Sequence, residues 1–240
     1  MKLAVPTLVN YEGLARLVES AQAGTLAPSG YMIIDNGGRL LSSEPYRSTL
    51  EFVSVHTGTS LSVVTPGKNL GVAASWNCFL DNREPIIIAN DDIVLRKRQF
   101  EEMVRDLASH PFVGNGWCLF GQTPECTARV GFYDENFFPA CYEDSDYSVR
   151  MERAGIKRYW GCSEPVDHAG CWTTTNMLGN PAWLSEGLER CRQYFVRKWG
   201  VMPNDTFDGY YSEPFNGAPP ADWTLRCWSE EYLAARKADA

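Results

Sequence analysis

The chain has 240 residues, 44% of them hydrophobic and 22% charged, the size of one large α/β domain or at most two small ones, with apolar matter for a full core. That balance excludes a membrane channel, a long repeat array, a disulfide mini-protein and a disordered chain. With 22 Lys and Arg against 30 Asp and Glu the net charge is −8, so the overall field repels phosphate backbones, and nucleic acid could be touched only through a local basic patch.

The first half alternates strand-like and helix-like segments, the signature of a parallel sheet flanked by helices. Leu3 to Val9 reads as a strand, and Leu14, Leu17, Val18 and Ala21 recur along one helical face. Tyr31 to Ile34 is a second strand closed by the turn residues Asp35-Asn36-Gly37-Gly38, and Leu61 to Val64 is a third. After Pro66-Gly67, the small-residue segment Gly71 to Asn77 opens a tightly packed helix. Pro85 to Ala89 is a fourth strand, stopping at Asn90-Asp91-Asp92, and Phe100, Met103, Val104 and Leu107 form the next helical stripe.

The second half is less regular. Phe112 to Phe120 reads as one strand with small-residue kinks at Gly114 and Gly116, and Gly131 to Ala140 as an aromatic loop. Tyr147, Met151 and Ala154 give a short helix ending at Gly155, and Leu184, Leu188, Cys191 and Phe195 a longer one up to Trp199-Gly200. Beyond Pro203 an irregular tail is expected. No apolar run approaches the roughly 20 residues of a membrane span. Lys2 and the few apolar residues before Asn10 are too short for a signal peptide, so a cytosolic protein is expected. The cysteines at 78, 118, 126, 141, 162, 171, 191 and 227 contain no C-x-x-C pair and read as free thiols or small buried apolar residues. The sequon Asn204-Asp205-Thr206 would matter only in a secreted chain.

The acids carry the chemical signal. Asn90-Asp91-Asp92 follows a buried strand, and open parallel sheets bind ligands beyond the carboxyl ends of their strands. Carboxylates there can hold a hard divalent cation, which can neutralise a diphosphate; the competing reading is a helix cap. Glu143-Asp144-Ser145-Asp146 precedes another helix, where a charged helix start is the simpler reading. An apolar wall of Tyr133, Phe137, Phe138 and Tyr142 would raise a carboxylate there toward a general base. His168 becomes a further metal ligand if it folds back on Asp92.

From about Leu3 to His168 the ordered set resembles a family 2-type glycosyltransferase with the GT-A fold. Pro6-Thr7 with Asn10 is similar to the family's opening strand and loop beside the nucleotide. Ile33-Ile34-Asp35-Asn36-Gly37-Gly38 resembles its second strand, whose terminal Asp receives the base. Asn69-Leu70-Gly71-Val72-Ala73-Ala74 and Asn77 resemble its N-x-G-x-x-x-x-x-N segment, and Asn90-Asp91-Asp92 stands where the family has D-x-D, with Asn replacing the first Asp. Gly131 to Phe138 with Glu143-Asp144-Ser145-Asp146 resembles its acceptor-side loop and E-D motif, and Tyr194 to Gly200 a C-terminal feature of some members.

The resemblance implies a mostly parallel central sheet with helices on both faces. It implies a catalytic domain over 1–180, its nucleotide-sugar half about 1–95 and its acceptor half about 96–180, with the helix and tail of 181–240 packed on it. Pro6, Thr7, Asn10, Asp35, Asn69, Gly71, Asn77, Asn90 and Asp91 would bind the donor, a nucleotide sugar expected to be a UDP-sugar. Lys68 could help its phosphates. Asp92 and His168 would hold Mn2+ or Mg2+, and Asp144, with Glu143 beside it, would be the general base of an inverting transfer. The acceptor hydroxyl could belong to a saccharide, a lipid-linked sugar, a protein or a modified nucleic-acid base.

The cluster Arg96-Lys97-Arg98 could meet an anionic acceptor or membrane surface, although short charge runs normally face water. The rival readings are a nucleotidyltransferase, for which the phosphate-loop motifs are lacking, a metal-free hydrolase, and a non-catalytic sugar- or nucleotide-binding module that stacks ligand on the Trp and Tyr of the tail.

Overall fold

The computed structural model describes residues 1–80, 84–170, 179, 181–204 and 206–220. Cys171, Cys227, Asp205 of the sequon and the last part of the expected tail lie outside the described residues.

The chain runs β1 (Lys2–Thr7), α1 (Tyr11–Gln22), β2 (Gly30–Asp35), α2 (Tyr46–Thr57), β3 (Ser60–Val64), α3 (Gly71–Leu80), β4 (Ile86–Ala89), β5 (Ile93–Val94) and α4 (Gln99–Leu107). It continues through β6 (Phe112–Gly114), β7 (Leu119–Gln122), α5 (Pro124–Val130), α6 (Glu143–Arg153), β8 (Tyr159–Trp160), β9 (Asp167–His168) and α7 (Ala182–Trp199). The main sheet has seven strands in the order β3-β2-β1-β4-β7-β6-β8. β3, β2, β1 and β4 are mutually parallel, and β7 runs against both its neighbours. β5 and β9 form a separate antiparallel pair, Ile93 opposite His168.

Strand alternation explains why helices cover both faces. Leu3, Val5, Ile87 and Ala89 point to one side and pack with Leu14, Leu17 and Val18 of α1, Leu50 of α2 and Phe100 and Met103 of α4. Ala4, Ile34, Ile86 and Ile88 point to the other and meet Trp76 and Phe79 of α3, Val130 of α5 and Tyr147 and Met151 of α6. A third cluster, Phe137, Val149, Cys191, Phe195 and Trp199, seats α7 on α6.

Three elements differ from the sequence reading. The expected single strand from Phe112 to Phe120 is a hairpin, because Gly116 turns the backbone at φ +72° and returns the chain as β7. α2 is present though no stripe announced it: only Leu50 and Val53 are buried, while Phe52 and Val55 are exposed. α5 is short and started by Thr123, whose side chain accepts from the Cys126 amide ahead of Pro124. The six described cysteines, at 78, 118, 126, 141, 162 and 191, are free thiols. Among the described residues no helix is long and apolar enough to cross a membrane.

Candidate active site

The chain places β2 and β3 on one side of β1 and then returns to place β4 on the other, so the carboxyl ends of β1 and β4 flank a topological switch point. A cavity of about 630 Å³ opens there. Its wall includes Pro6 and Thr7 from β1, Asn69 and Gly71 before and in α3, and Asn90, Asp91 and Asp92 after β4. Glu143, Asp144 and His168 complete it from the second half of the chain.

Each acid is fixed by short-range chemistry. Thr7 Oγ1 donates to Asp91 Oδ2 at 2.6 Å, and Asn10 Nδ2 donates to the Asp91 carbonyl at 3.0 Å while Asn10 Oδ1 caps α1 through the Gly13 amide. Gly13 is obligatory in this packing, since a Cβ there would fall 2.2 Å from the Asp91 carbonyl oxygen. Burial, with Asp92 alongside and against the bonds from Thr7 and Asn10, pushes the Asp91 carboxyl up to about 7. The β5–β9 pairing and a bond from the Ala169 amide to the Asp92 carbonyl at 3.0 Å return His168 to Asp92. His168 Nε2 lies 3.2 Å from Asp92 Oδ1.

Elsewhere on the cavity wall α6 begins with Glu143 and Asp144. Burial drives both carboxyls above their ordinary range, Glu143 far above it with Asp144 adding to the effect, and Asp144 less because the Ser145 amide and hydroxyl donate to Asp144 Oδ1 at 2.6 and 3.3 Å. Glu143 is 5% exposed, and its Oε2 has no hydrogen-bond partner among the described residues.

The third acid of this turn, Asp146, is paired at both oxygens. Asp146 Oδ1 takes the Lys198 ammonium at 2.6 Å and the Trp199 indole N–H at 2.9 Å, and its Oδ2 takes Arg150 Nε at 2.8 Å. Lys198 also meets Asp134 Oδ2 at 2.6 Å, joined by the Tyr194 hydroxyl at 2.8 Å. Burial alone would raise the Asp134 carboxyl, but Lys198 beside it more than offsets this and holds it at about 2.

Three of the expected donor residues do not line the cavity. Asp35 is fully buried, accepting from Tyr11 Oη, Gly37 N and Gly38 N at Oδ1 and from Leu40 N at Oδ2, so it builds the turn after β2. That turn presents Asn36 to the cavity instead. Asn10 acts behind Asp91, and Asn77 ties α3 to the following loop by bonding the Tyr133 amide and carbonyl and Glu135. Of the expected aromatic wall only Tyr142 lines the cavity, because Tyr133 and Phe137 are consumed by the two interior clusters and Phe138 packs beside Gly71. The wall has Trp76, Trp117 and Trp183 in its place, residues that no local motif marked. Arg96 pairs with Glu164 and Arg98 with Glu101, while Lys68 is exposed and outside the wall.

A sheet with this order, with acids gathered where its parallel strands end, defines an α/β fold whose cavity lies at the carboxyl ends of its strands. No model of a known protein family matches the sequence. The chain is 34% identical to a galactofuranosyl glycosyltransferase of Leishmania donovani in an alignment of 176 residues covering 61% of this chain and 40% of that protein. It therefore spans about two-fifths of the length of the curated relative it matches. Among solved structures it is similar to the mannosyltransferase PcManGT from Pyrobaculum calidifontis in complex with GDP-Man and Mn2+, with a TM-score of 0.54 at 15% identity over 70% of this chain and 57% of that one. It is also similar to S. aureus TarS 1–349, with a TM-score of 0.53 at 11% identity over 82% and 70%, and to the same fragment in complex with UDP-GlcNAc at 0.51 and 11% over 82% and 71%. At those identities the shared property is the fold.

Proposed function

We propose that the chain is a metal-dependent, inverting glycosyltransferase of the family 2 type that moves a sugar from a nucleotide sugar to an acceptor hydroxyl. The observation that carries this reading is one cavity lined both by the Asp92–His168 pair and by Asp144, a carboxyl that burial has made more basic. The Leishmania relative, named for galactofuranosyl transfer, and neighbours bound to GDP-Man or UDP-GlcNAc support a nucleotide-sugar donor, for which we favour a UDP-sugar.

Among the described residues no group of three or more His, Cys, Asp or Glu is arranged to hold a metal ion. Asp92 and His168 form a two-ligand oxygen and nitrogen pair that suits Mn2+ or Mg2+ when donor phosphate oxygens supply further ligands. Asp92 and His168 would hold such an ion, which would supply charge compensation for the leaving nucleoside diphosphate. Asp91 is held by Thr7 and Asn10 and keeps the loop after β4 in place. Asp144 accepts the proton of the acceptor hydroxyl as its oxygen attacks the anomeric carbon opposite the leaving group, which inverts that centre. The Ser145 amide holds the carboxyl in one orientation through its bond to Oδ1.

The test is release of nucleoside diphosphate from UDP-galactofuranose, UDP-GlcNAc and GDP-mannose with manganese, magnesium or a chelator. Metal-dependent release from one donor is expected. In Asp144→Asn transfer should fall by roughly 10²–10⁴-fold while UDP binding persists. No release from any donor and no metal-dependent nucleotide binding would favour a non-catalytic binding module.

A further inference from the structure

Four charged side chains meet in the interior between α6, α7 and the loop after α5, and the transfer chemistry touches none of them. Lys198 is 1% exposed and Arg150 7%, while Asp134 and Asp146 are fully buried. Lys198 Nζ donates to Asp134 Oδ2 and to Asp146 Oδ1, each at 2.6 Å. Apolar side chains of similar volume would hold α7 on α6 as firmly, because stripping water from buried ions offsets most of their attraction. What ions add to apolar contact is direction.

The direction at stake is that of the first turn of α6. Tyr142 stands at its N-cap with φ +71° and makes no side-chain capping bond, where Ser, Thr, Asp or Asn would ordinarily fix a helix start. Tyr147 and Met151 seat the middle of the helix in the core. The turn before them is held by Asp146, through Lys198, the Trp199 indole at 2.9 Å and Arg150 Nε at 2.8 Å. Successive helical residues are rotated by about 100°, so Asp144 lies about 200° round the axis from Asp146. Drawing Asp146 into the interior thus turns Asp144 outward, where it lines the cavity.

The other arm of Lys198 reaches the donor side. Asp134 belongs to the loop whose Tyr133 amide and carbonyl bond Asn77 at 2.7 and 2.9 Å. Asn77 lies on α3, whose opening residues Gly71 and Val72 also line the cavity. We propose that Lys198 is a positioning residue of the transfer reaction, holding the first turn of α6 so that Asp144 offers its carboxylate to the cavity in one place relative to α3. It touches no substrate and acts through Asp146 and Asp134. This rests on the glycosyltransferase reading above and adds how the base of that site is aimed.

The experiment uses the full chain with Mn2+ and the nucleotide sugar that the wild type turns over fastest, and reads nucleoside diphosphate release with water in the acceptor's place. Wild type, Lys198→Met, Asp144→Asn and the double variant form one cycle, run at a temperature where circular dichroism shows each of them folded. Lys198→Met should lower kcat roughly 10²-fold, the cost of a misplaced reacting group. Its donor KM and its dissociation constant for UDP should stay within about twofold of the wild type. Added to Asp144→Asn, the same substitution should cost nothing further, because a base already removed cannot be misaimed. A purely structural lysine would lower the rate by the same factor in both backgrounds, and that result overturns the proposal, as does a wild-type kcat in folded Lys198→Met. Should that variant fail to fold, Lys198→Met combined with Asp134→Asn takes its place in the cycle, since it removes one charge of each sign and leaves Asp146 paired with Arg150. A wild type that releases no nucleoside diphosphate from any donor overturns the glycosyltransferase reading itself, a different outcome from equal losses in the two backgrounds.

Discussion

Glu143 and Asp146 sit within one turn of each other on α6, and both are buried carboxyls, but their surroundings are opposite. Asp146 faces Lys198, Arg150 and the Trp199 indole and has a partner at each oxygen. Glu143 faces the cavity with Oε2 unpartnered among the described residues. A protein under selection for stability alone would not keep an unpaired buried acid, because desolvation without a partner costs about 1–3 kcal/mol. The first turn of the helix is therefore anchored by one acid and carries a second, on the cavity wall, that has no such anchor.

Breaking the anchored side should give the largest effect. Lys198→Met strips Asp134 and Asp146 of their shared cation and should lower unfolding free energy by about 3–5 kcal/mol in a urea titration. Trp199→Phe removes one donor from Asp146 and leaves Lys198 and Arg150 in place, so about 1–2 kcal/mol should be lost. Glu143→Met should show the reverse sign: stability unchanged or raised by up to about 1 kcal/mol, with transfer activity reduced. A clear loss of stability in that variant would mean that Glu143 has a structural partner, and the contrast would fail.

The smallest expected effect separates the two kinds of acid by the sign of their pH dependence. Asp134 is held at about 2 in the folded state, below its unfolded value of ~3.9, so its contribution is complete above ~4 and is lost as pH falls toward 2. Glu143 is raised in the folded state above an unfolded value of ~4.3, so its contribution is complete below that value and is lost as pH rises toward the folded one. Stability measured against pH should decline less steeply above about pH 4.5 in Glu143→Met, the raised carboxyls of Asp91 and Asp144 supplying the remaining decline, and should keep its acid limb. An unchanged profile above that pH would remove Glu143 from this account.

Much of the scaffold was legible because β1, β2 and β4 are apolar runs closed by polar turns, and α1 and α4 carry clean stripes. α2 was hidden by exposed Phe52 and Val55, which blur the period. Acids at strand ends were also legible, since a charge that follows a buried strand has few places to go, and the structure brings His168 back to Asp92. Illegible were the contacts set by distant partners. Nothing local says that Asp35 spends both oxygens on its own turn, that Asn77 looks toward Tyr133, or that Trp76 and Trp117 reach the cavity. The motif at Tyr194 to Gly200 was visible in sequence, but its use was not: Tyr194, Lys198 and Trp199 return to Asp134 and Asp146 across separations of 53 to 64 residues.

That return has a consequence for how the protein is made. Translation delivers β1, β4 and their acids well before Lys198 and Trp199, at rates that put on the order of ten seconds between the two events. During that interval Asp134 lacks its cation and Asp146 has Arg150 but neither Lys198 nor the indole, and the surface that α7 will cover, Phe137 and Val149 among it, is open to any passing chaperone. The nascent chain thus carries a finished sheet beside an unfinished wall, and the step that completes the wall is the arrival of a single lysine.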